Sequence, residues 1–181
     1  MDGEGKLRWK GLSQQSASIS FNESLYFFPE AYIKLLISSS KTLEKEKKED
    51  VEKILSQTLQ SYLKFNDHSR DNHAQALKSL TDHLIKIYEL ILVTVCAGSI
   101  IIIVECPSLE SLEHLWKDYI AGHLDKVAER YLVTEEMRIE LNLETVCLTT
   151  AIEEENYLNC QNALFDLGEY KQNVWKTISF M

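Results

Sequence analysis

Glycine and proline are scarce in this sequence, with six glycines and two prolines among 181 residues. No Gly/Ser-rich or Pro-rich stretch marks a linker, and the length suits one domain with an extension. Hydrophobic residues make up 45% and charged residues 26% of the chain. We therefore expect a soluble globular protein that buries a core.

An excess of basic residues is also lacking. Lys and Arg number 19 against 28 Asp and Glu, which gives a formal net charge of −9. Nucleic acids and anionic lipid surfaces are bound through basic patches. The charge balance therefore argues against both as partners.

A membrane span is not predicted either. The uncharged run Leu90–Val104 is shorter than the roughly 20 apolar residues that a spanning helix needs, and Gly98-Ser99 interrupts it. Residues 1–15 contain no apolar segment of a signal peptide. We expect a cytoplasmic protein.

The cysteines form no close-spaced motif. They are Cys96, Cys106, Cys147 and Cys160. A zinc site would need close-spaced Cys and His ligands, so free buried thiols in a reducing compartment are predicted, with no metal, cofactor or catalytic residue. A small thiol-dependent enzyme is the weakest alternative, because nothing in the sequence requires Cys106 to contact His114 or His123.

The segment Leu90–Cys106 predicts a β-hairpin, because two runs rich in Ile and Val flank Gly98-Ser99, a favoured turn pair. One face of the hairpin would carry only Ile and Val and face the core: Ile91, Val93, Val95, Ile100, Ile102 and Val104. The second face would be apolar with polar interruptions: Leu90, Leu92, Thr94, Cys96, Ile101, Ile103 and Glu105.

The segments around the hairpin alternate between helix and strand patterns. Apolar residues three and four positions apart predict two helices before it and two after it, and Leu143–Ile152 alternates as a half-buried strand. A further helix is predicted from Glu153 to a stop at Gly168. This order predicts an α+β two-layer sandwich, an antiparallel sheet packed on helices, with ferredoxin-like (split βαβ) order.

Three regions follow from this pattern. Residues 43–168 would form the α+β domain, and residues 169–181 an apolar tail that packs or binds. Residues 1–42 would be an N-terminal extension, with a short strand at 16–21 and a helix through Ala31–Leu36 opened by Pro29.

An ordered set of residues across the centre of the chain carries a family resemblance. It comprises Gly98-Ser99, Cys106, Pro107-Ser108-Leu109, Leu112, Leu115-Trp116, Tyr119, Gly122, Leu124, Thr134-Glu135-Glu136, Tyr157 and Cys160. Over about residues 75–166 this set resembles the TRADD-like N-terminal domain. That family comprises the N-terminal domain of the tumour necrosis factor receptor death-domain adaptor and related invertebrate and fish domains.

The resemblance implies an α/β sandwich without catalytic activity that binds the TRAF-type domain of signalling partners. It further implies a cytoplasmic adaptor in innate-immune or death-receptor-type (apoptosis) signalling. The family's contact residues are not transferred, because residues 1–70 do not align with it.

The second hairpin face is the predicted partner-binding site, since large exposed apolar patches usually mark interaction sites. Its predicted residues are Leu90, Leu92, Thr94, Ile101, Ile103 and Thr149. Two alternatives stay open. In the first, residues 12–37 or the tail 170–181 cover this face within the same chain. In the second, the face or a sheet edge pairs with a second copy and forms a homodimer.

Overall fold

The computed structural model describes residues 31–64, 71–96 and 100–179, with side chains through residue 168, and it confirms the predicted α+β sandwich. In chain order the described elements are β1 (Tyr32–Ser39), α1 (Lys45–Lys64), α2 (Asn72–Tyr88), β2 (Ile91–Cys96), β3 (Ile100–Glu105), α3 (Leu109–Ile120), α4 (His123–Leu132), α5 (Glu135–Leu141), β4 (Leu148–Ala151) and α6 (Glu154–Ser179). The predicted strand at 16–21 and the Gly98-Ser99 turn lie outside these residues.

The four strands form one sheet in the order β2-β3-β1-β4, and each neighbouring pair is antiparallel. Two helices connect β1 to β2, three connect β3 to β4, and α6 follows β4. A simple split βαβ unit has one helix in each crossover. The ferredoxin-like assignment therefore stays a prediction.

The predicted helix through Ala31–Leu36 is wrong, because residues 32–36 form the first part of β1, in the interior of the sheet. Ile33, Leu35 and Ile37 are buried, and the residues between them are more exposed. This alternation has the period of a strand, and pairing on both sides with β3 and β4 outweighs the helix signal of Pro29. Tyr32–Ser39, assigned to the extension, thus supplies a sheet strand.

The core lies between one sheet face and the helices. The strands contribute mainly isoleucine and the helices mainly leucine, at spacings of three and four. The largest fully buried side chains are Tyr88, Ile33, Ile37, Leu55, Leu59, Leu77, Leu80, Leu84, Ile100, Ile102, Leu112 and Leu115. Removing this apolar surface from water is the main stabilising contribution to the fold.

Several helix boundaries follow local capping chemistry. The Ser108 and Thr134 side chains accept hydrogen bonds from backbone N–H groups in the first turns of α3 and α5. Gly122 has φ +74°, a left-handed conformation that separates α3 from α4.

Two predicted boundaries in the C-terminal part are wrong. Gly168 does not end α6, whose backbone stays helical to Ser179, so part of the predicted tail belongs to this helix. A glycine inside a helix costs only about 1 kcal/mol, which a long helix tolerates. The strand predicted over Leu143–Ile152 is shorter, because only Leu148–Ala151 pairs with β1.

A histidine joins α2 to α4 and gives the fold a pH dependence. The Tyr131 hydroxyl lies 3.1 Å from His83 Nδ1. Burial, together with the charge of Arg130, lowers the pKa of His83. The folded state therefore binds fewer protons than the unfolded state when the pH falls through about 6.5, the ordinary pKa of histidine, so acidification disfavours folding.

We expect the free energy of unfolding to fall between pH 7.5 and 5.5, and to fall less in the variant His83→Gln. Glutamine keeps a polar group but does not titrate. Urea denaturation of both proteins at the two pH values measures the difference. Equal pH dependence in the two proteins would contradict a contribution from His83.

Candidate partner-binding surface

The side of the sheet turned away from the core is the candidate surface, and we name it the outer sheet face. Side chains of directly paired residues point to the same side of a sheet. The pairs Leu36/Ile101, Lys34/Ile103, Ser38/Thr149, Thr94/Ile103 and Cys96/Ile101 define this face across the four strands.

Four of the six predicted partner-binding residues lie on the outer sheet face: Thr94, Ile101, Ile103 and Thr149. Leu90 and Leu92 do not. Leu90 is buried in the core, and Leu92 packs against it and pairs with the core residue Val104. Ile91, predicted to face the core, is 51% exposed.

A β-bulge explains this change of side. The register of β2 against β3 shifts between Leu92 and Thr94. One extra residue in a strand moves the residues before it to the opposite face, so the predicted faces hold for Thr94–Cys96 and reverse before Val93. The sequence has no glycine in β2 that would have indicated the bulge.

The outer sheet face has an apolar centre and a hydroxyl-bearing side. Leu36 and Ile101 are partly exposed, whereas Ile103 is only 8% exposed although it stands outside the core cluster. The hydroxyl oxygens of Ser38 and Thr149 lie 3.3 Å apart beside this centre. Sequence reasoning missed Leu36 and Ser38, because it assigned Leu36 to a helix and placed both residues in the N-terminal extension.

The described residues do not show Cys106 paired with His114 or His123, the contact that the thiol-enzyme alternative would need. Cys106 is buried, and the neighbouring Cys160 thiol, followed by burial, raises its pKa. A nucleophilic cysteine needs the opposite, a lowered pKa and access to substrate. His123 instead lies 3.4 Å from an Asp118 oxygen, and the His114 ring contacts Tyr88.

The described ranges hold no cluster of three or more His, Cys, Asp or Glu side chains placed to bind a metal ion. In the same part of the chain, none of the helices combines the length and apolar character needed to cross a membrane.

The structure thus defines an α+β sandwich whose candidate site is a surface of the sheet. Residues 76–137 match the family model of the TRADD-like N-terminal domain, which confirms the resemblance predicted from the sequence. The matched segment runs from α2 through the hairpin, α3 and α4 into α5. Searches of curated proteins and of solved structures found no significant match.

Proposed function

We propose that this protein is a non-enzymatic adaptor module of intracellular signalling that binds a protein partner through the outer sheet face. The observation that carries the proposal is the match of residues 76–137 to the TRADD-like N-terminal domain, a family of adaptor type. The match covers β2 and β3, which supply Thr94, Ile101 and Ile103 to this face.

The chemistry of the outer sheet face supports a protein as the partner. Protein interfaces commonly combine an apolar centre with a polar rim. Here Leu36 and Ile101 lie side by side on paired strands, with the Ser38 and Thr149 hydroxyl groups next to them. The apolar area still open to a partner is modest, so the rim must contribute hydrogen bonds and shape to specificity.

The finer identity of the partner belongs to the same proposal. We propose a TRAF-type domain as the partner, the cytoplasm as the compartment, and innate-immune or death-receptor-type signalling as the process. These follow from the family resemblance. The alternative function is that of a regulatory domain that self-associates, and one sheet edge favours that alternative independently.

Introducing two charges into the outer sheet face should abolish partner binding and leave the fold intact. The variant is Leu36→Lys/Ile101→Lys, because both side chains are partly exposed and directly paired. We expect at least about a tenfold loss of affinity for a purified TRAF-type domain, since a charge at an interface centre must be desolvated without a partner. Isothermal titration calorimetry measures the affinity, and circular dichroism checks the fold.

The matched control is Ile120→Lys/Ile139→Lys, which adds the same charges at helix positions that are 66% and 72% exposed. It should bind as the wild type does. Unchanged binding by the folded Leu36→Lys/Ile101→Lys variant would reject the outer sheet face as the site. Absence of binding by the wild type would reject the TRAF-type domain as the partner.

A further inference from the structure

The two edges of the sheet end in different ways, and the β4 edge is closed by side chains. Asp125 Oδ1 accepts hydrogen bonds from Thr150 N and Oγ1, both at 2.6 Å, and Glu129 Oε1 accepts from Leu148 N at 3.2 Å. The backbone N–H groups of Leu148 and Thr150 point away from β1, because backbone groups alternate in direction along a strand. The carboxylates therefore cap the outward N–H groups of β4.

The same closure extends along β1 beyond the end of β4. The Asn156 side chain accepts from Lys34 N and donates to the Tyr32 carbonyl oxygen, both at 2.8 Å. One amide group thus reproduces the bonds of a neighbouring strand. Such covering is how proteins keep a sheet edge from pairing with another chain.

The opposite edge, formed by β2, has no such covering in the part of the chain that the structure describes. Within residues 31–64, 71–96 and 100–179, no helix, loop or side chain hydrogen-bonds to the outer side of this strand. Its sequence ILVTVC contains no charge, proline or glycine. Charges and proline are common protections of an edge strand, so β2 keeps only its bulge.

The ladder alternation shows which backbone groups are available on this open edge. Lys34 turns its N–H away from β3 toward Asn156, which fixes the alternation across β1 and β3. When the same alternation is followed from β3 into β2, the backbone N–H and C=O groups of Val95 point outward. Those of Leu92, on the other side of the bulge, also point outward.

We propose that a second copy of this chain occupies the open edge, with β2 of each copy paired antiparallel to β2 of the other. If the two-fold axis passes between Val93 and Thr94, Leu92 of one copy lies opposite Val95 of the other. These two residues then exchange backbone hydrogen bonds, and symmetry repeats the pair once. Ile91 of one copy then lies opposite Cys96 of the other, and both belong to the outer sheet face. The strand is therefore complementary to itself in its backbone hydrogen bonds and in the side of the sheet to which paired side chains point.

Charge does not oppose a second copy at this strand pair. The chain carries a net charge of −9, but β2 itself is uncharged, so no like charges stand opposite each other across the strand pair. Glu89, next to the start of β2, would approach the uncharged Cys96 end of the other copy and not a second Glu89. Charges farther away are screened over about 8 Å at physiological ionic strength.

This pairing would create a bivalent surface. Two antiparallel strands are related by a two-fold axis perpendicular to the sheet, so the outer sheet faces of both copies would lie on the same side of an eight-stranded sheet. Two linked binding faces raise the avidity for a multivalent partner. The self-pairing does not depend on the proposed function, since it uses the edge and not the outer sheet face.

Sedimentation equilibrium of the full chain over a range of concentrations tests for the dimer. The mass should rise from 20.9 kDa toward twice that value, because a short strand pair gives a reversible dimer. Ile91→Lys adds a charge at an exposed position of the edge and should hold the mass at 20.9 kDa. Ile139→Lys, equally charged and on α5, should dimerise as the wild type does.

A cross-link tests the register. In the proposed pair Ile91 and Cys96 of the two copies are a non-hydrogen-bonded pair, whose Cα atoms lie about 4.5 Å apart, within disulfide range. Ile91→Cys treated with oxidised glutathione should therefore form a disulfide-linked dimer, two thiols being oxidised as one glutathione disulfide is reduced to two glutathione molecules. Ile91→Cys/Cys96→Ser and Ile139→Cys should not.

A wild-type mass that stays at 20.9 kDa at every concentration would overturn the proposal. A dimer that Ile91→Lys leaves intact, or one that Ile91→Cys fails to cross-link through Cys96, would assign self-association to another surface and would also overturn it.

Discussion

Replacing Ile33 by alanine should lower the free energy of unfolding by about 2–5 kcal/mol, the range measured for large-to-small substitutions in protein cores. Ile33 is fully buried, lies in β1 and pairs with Val104 of β3. Truncation removes apolar contacts and leaves a cavity between the sheet and the helices. The rigid ladders on both sides of β1 limit how far the surroundings can collapse into that cavity.

Urea denaturation at constant pH measures this change, with Ile139→Ala as the control of the same residue type. Ile139 is 72% exposed, so its truncation should change the free energy by less than about 0.5 kcal/mol. A loss below about 1 kcal/mol for Ile33→Ala would contradict the placement of β1 in the core, and with it the correction to the predicted N-terminal helix.

The hairpin shows what a local pattern can and cannot predict. The face assignment of β3 follows from the two-residue period of side chains along a strand, and Ile100, Ile102 and Val104 lie in the core as predicted. The same rule fails before Val93, because a bulge depends on how two strands twist together and leaves no mark in the sequence ILVTVC. Two of the predicted partner-binding residues were misplaced for this reason.

Long-range pairing accounts for the other differences between the sequence-based predictions and the structure. β1 is interior only because β3 and β4, far along the chain, pair with its two sides. A short apolar run after proline fits a helix or a strand equally well until those partners are known. The caps from Asp125 and Asn156 likewise reach β4 and β1 across the fold, so no spacing rule predicts them.

Replacing Asp125 by alanine should destabilise the protein by about 2–4 kcal/mol, a large effect for a single residue outside the apolar core. Its carboxylate accepts two short hydrogen bonds from Thr150, and bonds to a charged acceptor contribute about 1.5–3 kcal/mol each without adding fully. The backbone N–H of Thr150 would lose its partner and compete for water at the sheet edge. Thr150→Val removes only the hydroxyl bond, so it should cost less.

A double-mutant cycle of Asp125→Ala and Thr150→Val separates the two bonds. If the carboxylate holds both the hydroxyl and the backbone N–H, Asp125→Ala should remain destabilising in the Thr150→Val background. Equal stability of Thr150→Val and the double variant would instead show that the backbone cap contributes nothing. In that case the two edges of the sheet would differ less than their hydrogen bonds indicate, and the contrast between a closed β4 edge and an open β2 edge would lose its energetic basis.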